Sequence, residues 1–274
     1  MSTRLLIGAV GSLLLWAAAP LAGQQAAPKP LERLPDGQPN VQGVWGPVNA
    51  GSLSLTNPVP QAADFDPTIK PLPSRIVDPP DGKVPYQPWA AALQKEQNHY
   101  YAYPMRPEHI DPQHRCLVSG VPRLFTIMPS LRIVQSRGLI VFLWDTYQAY
   151  RVIPLDTRPH VAADVKLYMG DGRGRWEGNT LVIDTRSVKG QRLTYIGDFY
   201  SDNATIVERL TWTDANTFTY DATITDPTVF TRPWTMRLVQ RRRPNEEMWE
   251  GACYEGNLDP EQFLLKSAPP PPTR

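Results

Sequence analysis

The residue with the sharpest chemical implication is Glu208. Alternate positions across 204–212 are Ala204, Ile206, Glu208, Leu210 and Trp212. A carboxylate therefore falls on the apolar face of an expected strand. Left unpaired in a core it would be costly, so it must meet an arginine or hold a raised pKa. One outcome is a general acid or base, or a ligand anchor, inside a barrel. The other is a structural Glu–Arg pair. A second cluster runs from Asp145 to His160 and holds Tyr147, Tyr150, Arg151, Asp156 and Arg158. Asp156 and His160 are the candidates to assist proton transfer at the mouth of the barrel, although a lone loop histidine is commonly a surface or packing residue. Arg132, Arg151 and Arg158 are the candidates to hold an anionic or carbonyl oxygen. Trp144, Tyr147, Trp176, Glu177 and Trp234 complete the candidate substrate-binding set.

Other chemistries lack their residues. There is no His-Glu-x-x-His and no paired Cys-x-x-Cys, so no metal site is expected. Four glycines lie within 170–178, but no Gly-Lys-Ser/Thr follows, and a loop leading into a strand is the better expectation than a phosphate cradle. No Gly-x-Ser-x-Gly elbow offers a nucleophile. No cofactor motif is present. The 28 Lys and Arg against 27 Asp and Glu, net +1, leave no global electrostatic footprint for nucleic acid.

The elements that must position these residues are short strands. From residue 131 onward, apolar–polar alternation and tight turns mark strands at 131–135, 139–145, 150–155, 180–185, 204–212, 217–224, 234–241 and 248–253. They follow one another mainly as hairpins, the pattern of an antiparallel meander. Before residue 131 the chain differs. The sequence has 30 prolines, and most lie in this first half, which excludes a helical bundle there. Residues 24–130 read as an extended arm wrapped on the β body, with Trp45, Tyr86 and Trp89 as anchors and one helix near 88–103 begun by Pro88 and stopped by Pro104.

The N-terminus reads as a secretory signal over 1–23: Arg4, then an apolar run over 5–19, then small residues. This implies a periplasmic or secreted protein with no stable membrane insertion after signal removal. The two cysteines, Cys116 and Cys253, are then free to form one disulfide, with buried free thiols as the alternative. Residues 266–274, with Pro269 to Pro272, read as a solvated tail.

Several strings recur together: Pro35-Asp36-Gly37-Gln38-Pro39 with Gly43-Val44-Trp45, Asp156-Thr157-Arg158-Pro159-His160, and Gly174-Arg175-Trp176-Glu177-Gly178-Asn179-Thr180-Leu181-Val182-Ile183-Asp184-Thr185. In these the chain resembles a family of uncharacterised exported bacterial proteins. The family pattern usually carries His-Ser at Asp171-Gly172 and Asp at Asn179. The resemblance implies a secreted β-rich domain and supplies no reaction.

The expected architecture is all-β and mainly antiparallel: a lipocalin-like barrel or curled sheet over 131–265, with the Pro-rich arm and one short helix. A small barrel can enclose one ligand. The expected function is binding of a small organic ligand, either with cofactor-independent hydrolysis, lyase or isomerase chemistry at Glu208, or as a non-catalytic carrier. An envelope structural or interaction protein is the remaining alternative, favoured by a filled barrel with Glu208 in a closed arginine pair and no pocket.

Overall fold

The computed structural model describes residues 29–51, 54–57, 72–101, 104–127, 130–251, 253, 262 and 264. The expected signal segment and the proline tail lie outside the described residues. Twelve strands are present: β1 (Gly43–Pro47), β2 (Ile76–Asp78), β3 (Leu131–Ser136), β4 (Leu139–Trp144), β5 (Tyr150–Pro154), β6 (Asp171–Glu177), β7 (Thr180–Arg186), β8 (Gln191–Arg192), β9 (Phe199–Tyr200), β10 (Thr205–Asp214), β11 (Thr217–Thr225) and β12 (Trp234–Arg242). Helix α1 spans Pro88–His99.

The main sheet runs β5-β4-β3-β1-β12-β11-β10-β7-β6, with β2 added beside β12. It curls into a nearly closed barrel, as the alternation implied. On β10, Ile206, Glu208, Leu210 and Trp212 are buried between exposed Thr205, Val207 and Arg209. On β11 the buried set is Phe218, Tyr220, Ala222 and Ile224. The hairpins β3–β4 and β6–β7 pair in unbroken register, and β10–β11 does so up to one irregularity between Trp212 and Asp214.

Every neighbouring pair along this path is antiparallel. Nine strands paired in this way leave the two end strands, β5 and β6, pointing in the same direction. They meet along a seam without a hydrogen-bonded ladder. Side chains close it: Ile153 and Leu155 lie directly on Gly172 and Gly174. A methyl group at Gly172 would stand 2.8 Å from Ile153 Cδ1, and one at Gly174 would stand 2.7 Å from both Ile153 Cγ2 and Leu155 Cδ2. Glycine is needed at both positions for this approach, and that explains the glycine-rich sequence of β6.

Four expectations change. The arm does more than wrap: β1 is a barrel strand, inserted between β3 and β12, with Trp45 fully buried. Residues 171–177, expected as a loop, form β6. Residues 248–251, expected as the last strand, are irregular and touch the barrel through one bridge between Gly251 and Thr146. Helix α1 also ends at His99, where Tyr100 turns to stack on His109 with ring centroids 4.2 Å apart.

Both ends of the barrel are covered. At one end the segment from Lys29 to Gln42 crosses the hairpin turns, with the Ala215 N–H donating to the Lys29 carbonyl and Trp176 Nε1 donating to Gln38. At the other, residues 119–127 fill the opening. Phe125 stacks on Tyr220 at 3.9 Å, and its carbonyl accepts from Gln240 Nε2 at 2.9 Å. Arg123 in this plug makes a bidentate pair with Asp111 at 3.0 Å for each bond, both side chains buried. Cys116 and Cys253 form a disulfide, Cα atoms 5.6 Å apart, that fastens this covering segment to the C-terminal one.

Candidate functional site

Glu208 lies in the barrel interior with no solvent exposure. Arg151, on the inner face of β5, reaches past β6 and β7 to meet it. Arg151 Nη1 donates to both carboxylate oxygens, at 3.0 and 2.5 Å. Thr185 Oγ1 donates to Oε2 at 3.1 Å, and Tyr220 O–H donates to Oε1 at 2.9 Å. The second guanidinium arm of Arg151 donates to Thr185. Burial, with the Glu208 charge nearby, pushes the Tyr220 hydroxyl well above its ordinary value and raises that of Tyr200. Both phenols therefore stay protonated, and Tyr220 remains a donor. The carboxylate is fully engaged by protein donors. Because β5 and β10 stand on opposite sides of the seam, the ion pair is also a latch across it.

The other candidates are spread over the outer surface and the core. His160 sits between two carboxylates, with Nδ1 2.9 Å from Asp171 and Nε2 3.4 Å from Asp184. Asp171 also accepts from the Val161 N–H and pairs with Arg173. Asp156 and Arg158 form an exposed pair with each other, and the guanidinium lowers the Asp156 carboxyl to about 2. Glu177 is held low by hydrogen bonds from Arg209 and Arg175. Trp176 packs on Trp212, and Trp234 is a core residue against Phe230. Tyr147 O–H donates to the Gln113 carbonyl at 2.7 Å. None of these hydrogen bonds or ion pairs links His160 or Asp156 to Glu208, so the described contacts do not join the three into one constellation.

Two candidates do meet. Arg132 and Trp144 line a groove of about 350 Å³ with Leu143, Asp145, Gln148, Met248, Trp249 and Glu250. Its floor is the end of the β3–β4 hairpin, where Arg132 lies opposite Leu143 in the ladder. One wall is the turn after β4, in which Tyr147 and Gln148 adopt left-handed conformations (φ 55° and 51°). The other is the segment Met248–Glu250. Backbone bonds hold the walls together: the Gly251 N–H donates to the Asp145 carbonyl at 2.8 Å, and the Tyr147 N–H donates to the Gly251 carbonyl at 2.7 Å. Gln148 Nε2 donates to Glu250 at 3.0 Å, and the Ser130 N–H donates to Asp145 at 3.2 Å. Burial pushes the Asp145 carboxyl up. Trp249 is 77% exposed.

Comparison with protein-family models, with curated proteins and with solved structures gave no match for this chain. The site is therefore read from its own geometry. Sequence reasoning found Arg132 and Trp144, and noted Asp145 within its cluster, but missed Gln148, Met248, Trp249 and Glu250. The groove exists because residues 248–251 lie irregularly beside the turn, and an expected strand there would have turned Trp249 inward. A glycine between two acidic-flanked aromatic positions, Glu250-Gly251 before Cys253, is the one local hint. Among the described residues no group of three or more His, Cys, Asp or Glu is placed to hold a metal ion, and no helix is long and apolar enough to cross a membrane.

Proposed function

We propose that the protein is an exported binding protein that takes a small organic molecule in the groove beside the turn after β4, with the filled barrel as its scaffold. The observation that carries this is the groove itself. Its volume is within the range of small-ligand sites, and its lining sets Leu143, Trp144, Met248 and Trp249 beside the polar Arg132, Asp145, Gln148 and Glu250. A tryptophan left 77% exposed at its edge costs solvation that a ligand would recover. The signal-like N-terminus and the disulfide support export, because such bonds persist in oxidising compartments. The closed Arg151–Glu208 pair supports a fastening role for that carboxylate, and the reading assigns no catalytic step.

The test is ligand capture. Mature protein purified from its own host under native conditions is denatured, and the released small molecules are identified by mass spectrometry. A Leu143→Arg variant, which fills the groove from its floor, is carried in parallel. The expected result is a molecule released by the natural chain and absent from the variant. Equal release from both, or none from either across several growth conditions, would overturn the proposal.

A further inference from the structure

The polar groups of the groove have an uneven arrangement. Arg132 points outward from β3 and makes no side-chain hydrogen bond or ion pair among the described residues. Asp145 accepts from the Ser130 N–H and from Thr146, and faces no cation. Glu250 accepts from Gln148 alone. The groove thus offers one uncompensated guanidinium and two carboxylates without a cationic partner.

Their placement follows from the ladder. Leu143 is paired with Arg132 in the ladder, and Asp145 follows just past the end of β4, where it lines the same groove. Arg132 and Asp145 thus face one groove. Arg132 and Asp145 nonetheless make no direct ion pair, so both heads are available to a third group set between them. The apolar walls, Leu143, Met248 and Trp249, lie around that gap. A guanidinium takes a carboxylate bidentately, and an indole face favours a nearby cation.

Resting on the binding function proposed above, we infer that the ligand is a zwitterion of amino-acid size, bearing a carboxylate, an ammonium and an apolar body. Its carboxylate pairs with Arg132. Its ammonium lies toward Asp145 and Glu250, and its apolar body lies against Trp249 and Met248. A purely anionic ligand would meet two uncompensated carboxylates, and a purely cationic one would meet Arg132. A cation beside Asp145 favours its charged carboxylate and so offsets the burial that raises it.

Four probes of one shape separate the contributions: phenylalanine, 3-phenylpropionate, phenethylamine and benzyl alcohol. Binding is followed by tryptophan fluorescence and by calorimetry on the intact, oxidised protein. The expected order places phenylalanine about tenfold or more tighter than either singly charged probe, with benzyl alcohol weakest. Arg132→Met should reduce phenylalanine to the level of phenethylamine. Asp145→Asn, whose amide oxygen still accepts from Ser130, should reduce it toward 3-phenylpropionate. Unchanged circular dichroism shows that each variant is folded. Equal affinity for all four probes, or a phenylalanine preference that survives Arg132→Met, overturns the zwitterion inference while leaving the groove a binding site. If no probe binds, the captured native molecule decides: one lacking either charge overturns the inference, and capture of nothing overturns the function beneath it.

Discussion

Replacing Arg151 by Met removes the cation from a sealed carboxylate. Glu208 is fully buried and the Arg151 side chain is 2% exposed, so water cannot enter to replace the lost donors. Breaking a buried pair from one side costs about 3–5 kcal/mol. Here the lower end applies, about 3 kcal/mol, because Tyr220 and Thr185 still donate to the carboxylate. Glu208→Met leaves the guanidinium sealed instead, with its Nε already lacking a partner, and should cost at least as much. In the double variant Arg151→Met/Glu208→Met neither charge is stranded, so its loss should fall short of the summed single losses by about 2 kcal/mol or more. The Thr185 and Tyr220 hydroxyls then lack their acceptor, which keeps the double variant below the natural chain. Urea unfolding at constant pH, with the disulfide intact and two probes compared for coincidence, measures all four forms. A loss below about 1 kcal/mol for Arg151→Met, or strict additivity in the double variant, would refute the argument that Arg151 and Glu208 form a latch.

Three further outcomes follow from other parts of the molecule. Gly172→Ala places a methyl group against Ile153 and Arg151 at the seam, and should lower stability by about 1–3 kcal/mol in the same unfolding assay. Cys116→Ser/Cys253→Ser opens a link spanning 137 residues, and the entropic model sets the loss at about 5 kcal/mol at most, read as a fall in urea midpoint. Asp198 is buried, accepts from Tyr86 and Thr194, and has its carboxyl raised by burial. A raised folded value means that the native state binds the proton more readily than the unfolded chain. This group therefore costs stability at neutral pH, and the cost is relieved as pH falls through the raised value toward about 4, where the unfolded chain also takes the proton. Asp198→Asn should flatten that part of the stability–pH curve, and an unchanged slope would contradict the assignment.

The parts of the fold legible in the sequence were those governed by local pattern. Phe218, Tyr220, Ala222 and Ile224 alternate strictly, and the structure buries that face. The same rule placed Glu208 inside. The hairpins β3–β4 and β10–β11 were marked by their turns. What could not be read depended on partners distant in sequence. Gly43-Val44-Trp45-Gly46-Pro47 has no alternation, because four of its five residues are buried, and its β12 partner lies some two hundred residues later. β6 looked like a loop because Gly172 and Gly174 answer to Ile153 and Leu155, across a seam that only the closed barrel creates. The groove was half visible. Arg132 and Trp144 came from strand positions, but Trp249 owes its exposure to backbone bonds between Gly251 and the turn after β4.

The placement of β1 has a consequence for assembly. The hydrogen-bonded path consists of two blocks contiguous in the later chain, β3 to β5 and β6 to β12, and β1 is the strand that joins them. Both of its partners are synthesised after it. A chain delivered N-terminus first can pair Val44 and Trp45 on one side only, with β3, until residue 242 has arrived. The Pro-rich arm thus carries a built-in donor strand, and the shell is completed by an act of self-complementation. A chain lacking residues 43–47 would yield two sheets with open edges, each exposing the unpaired backbone that β1 normally satisfies.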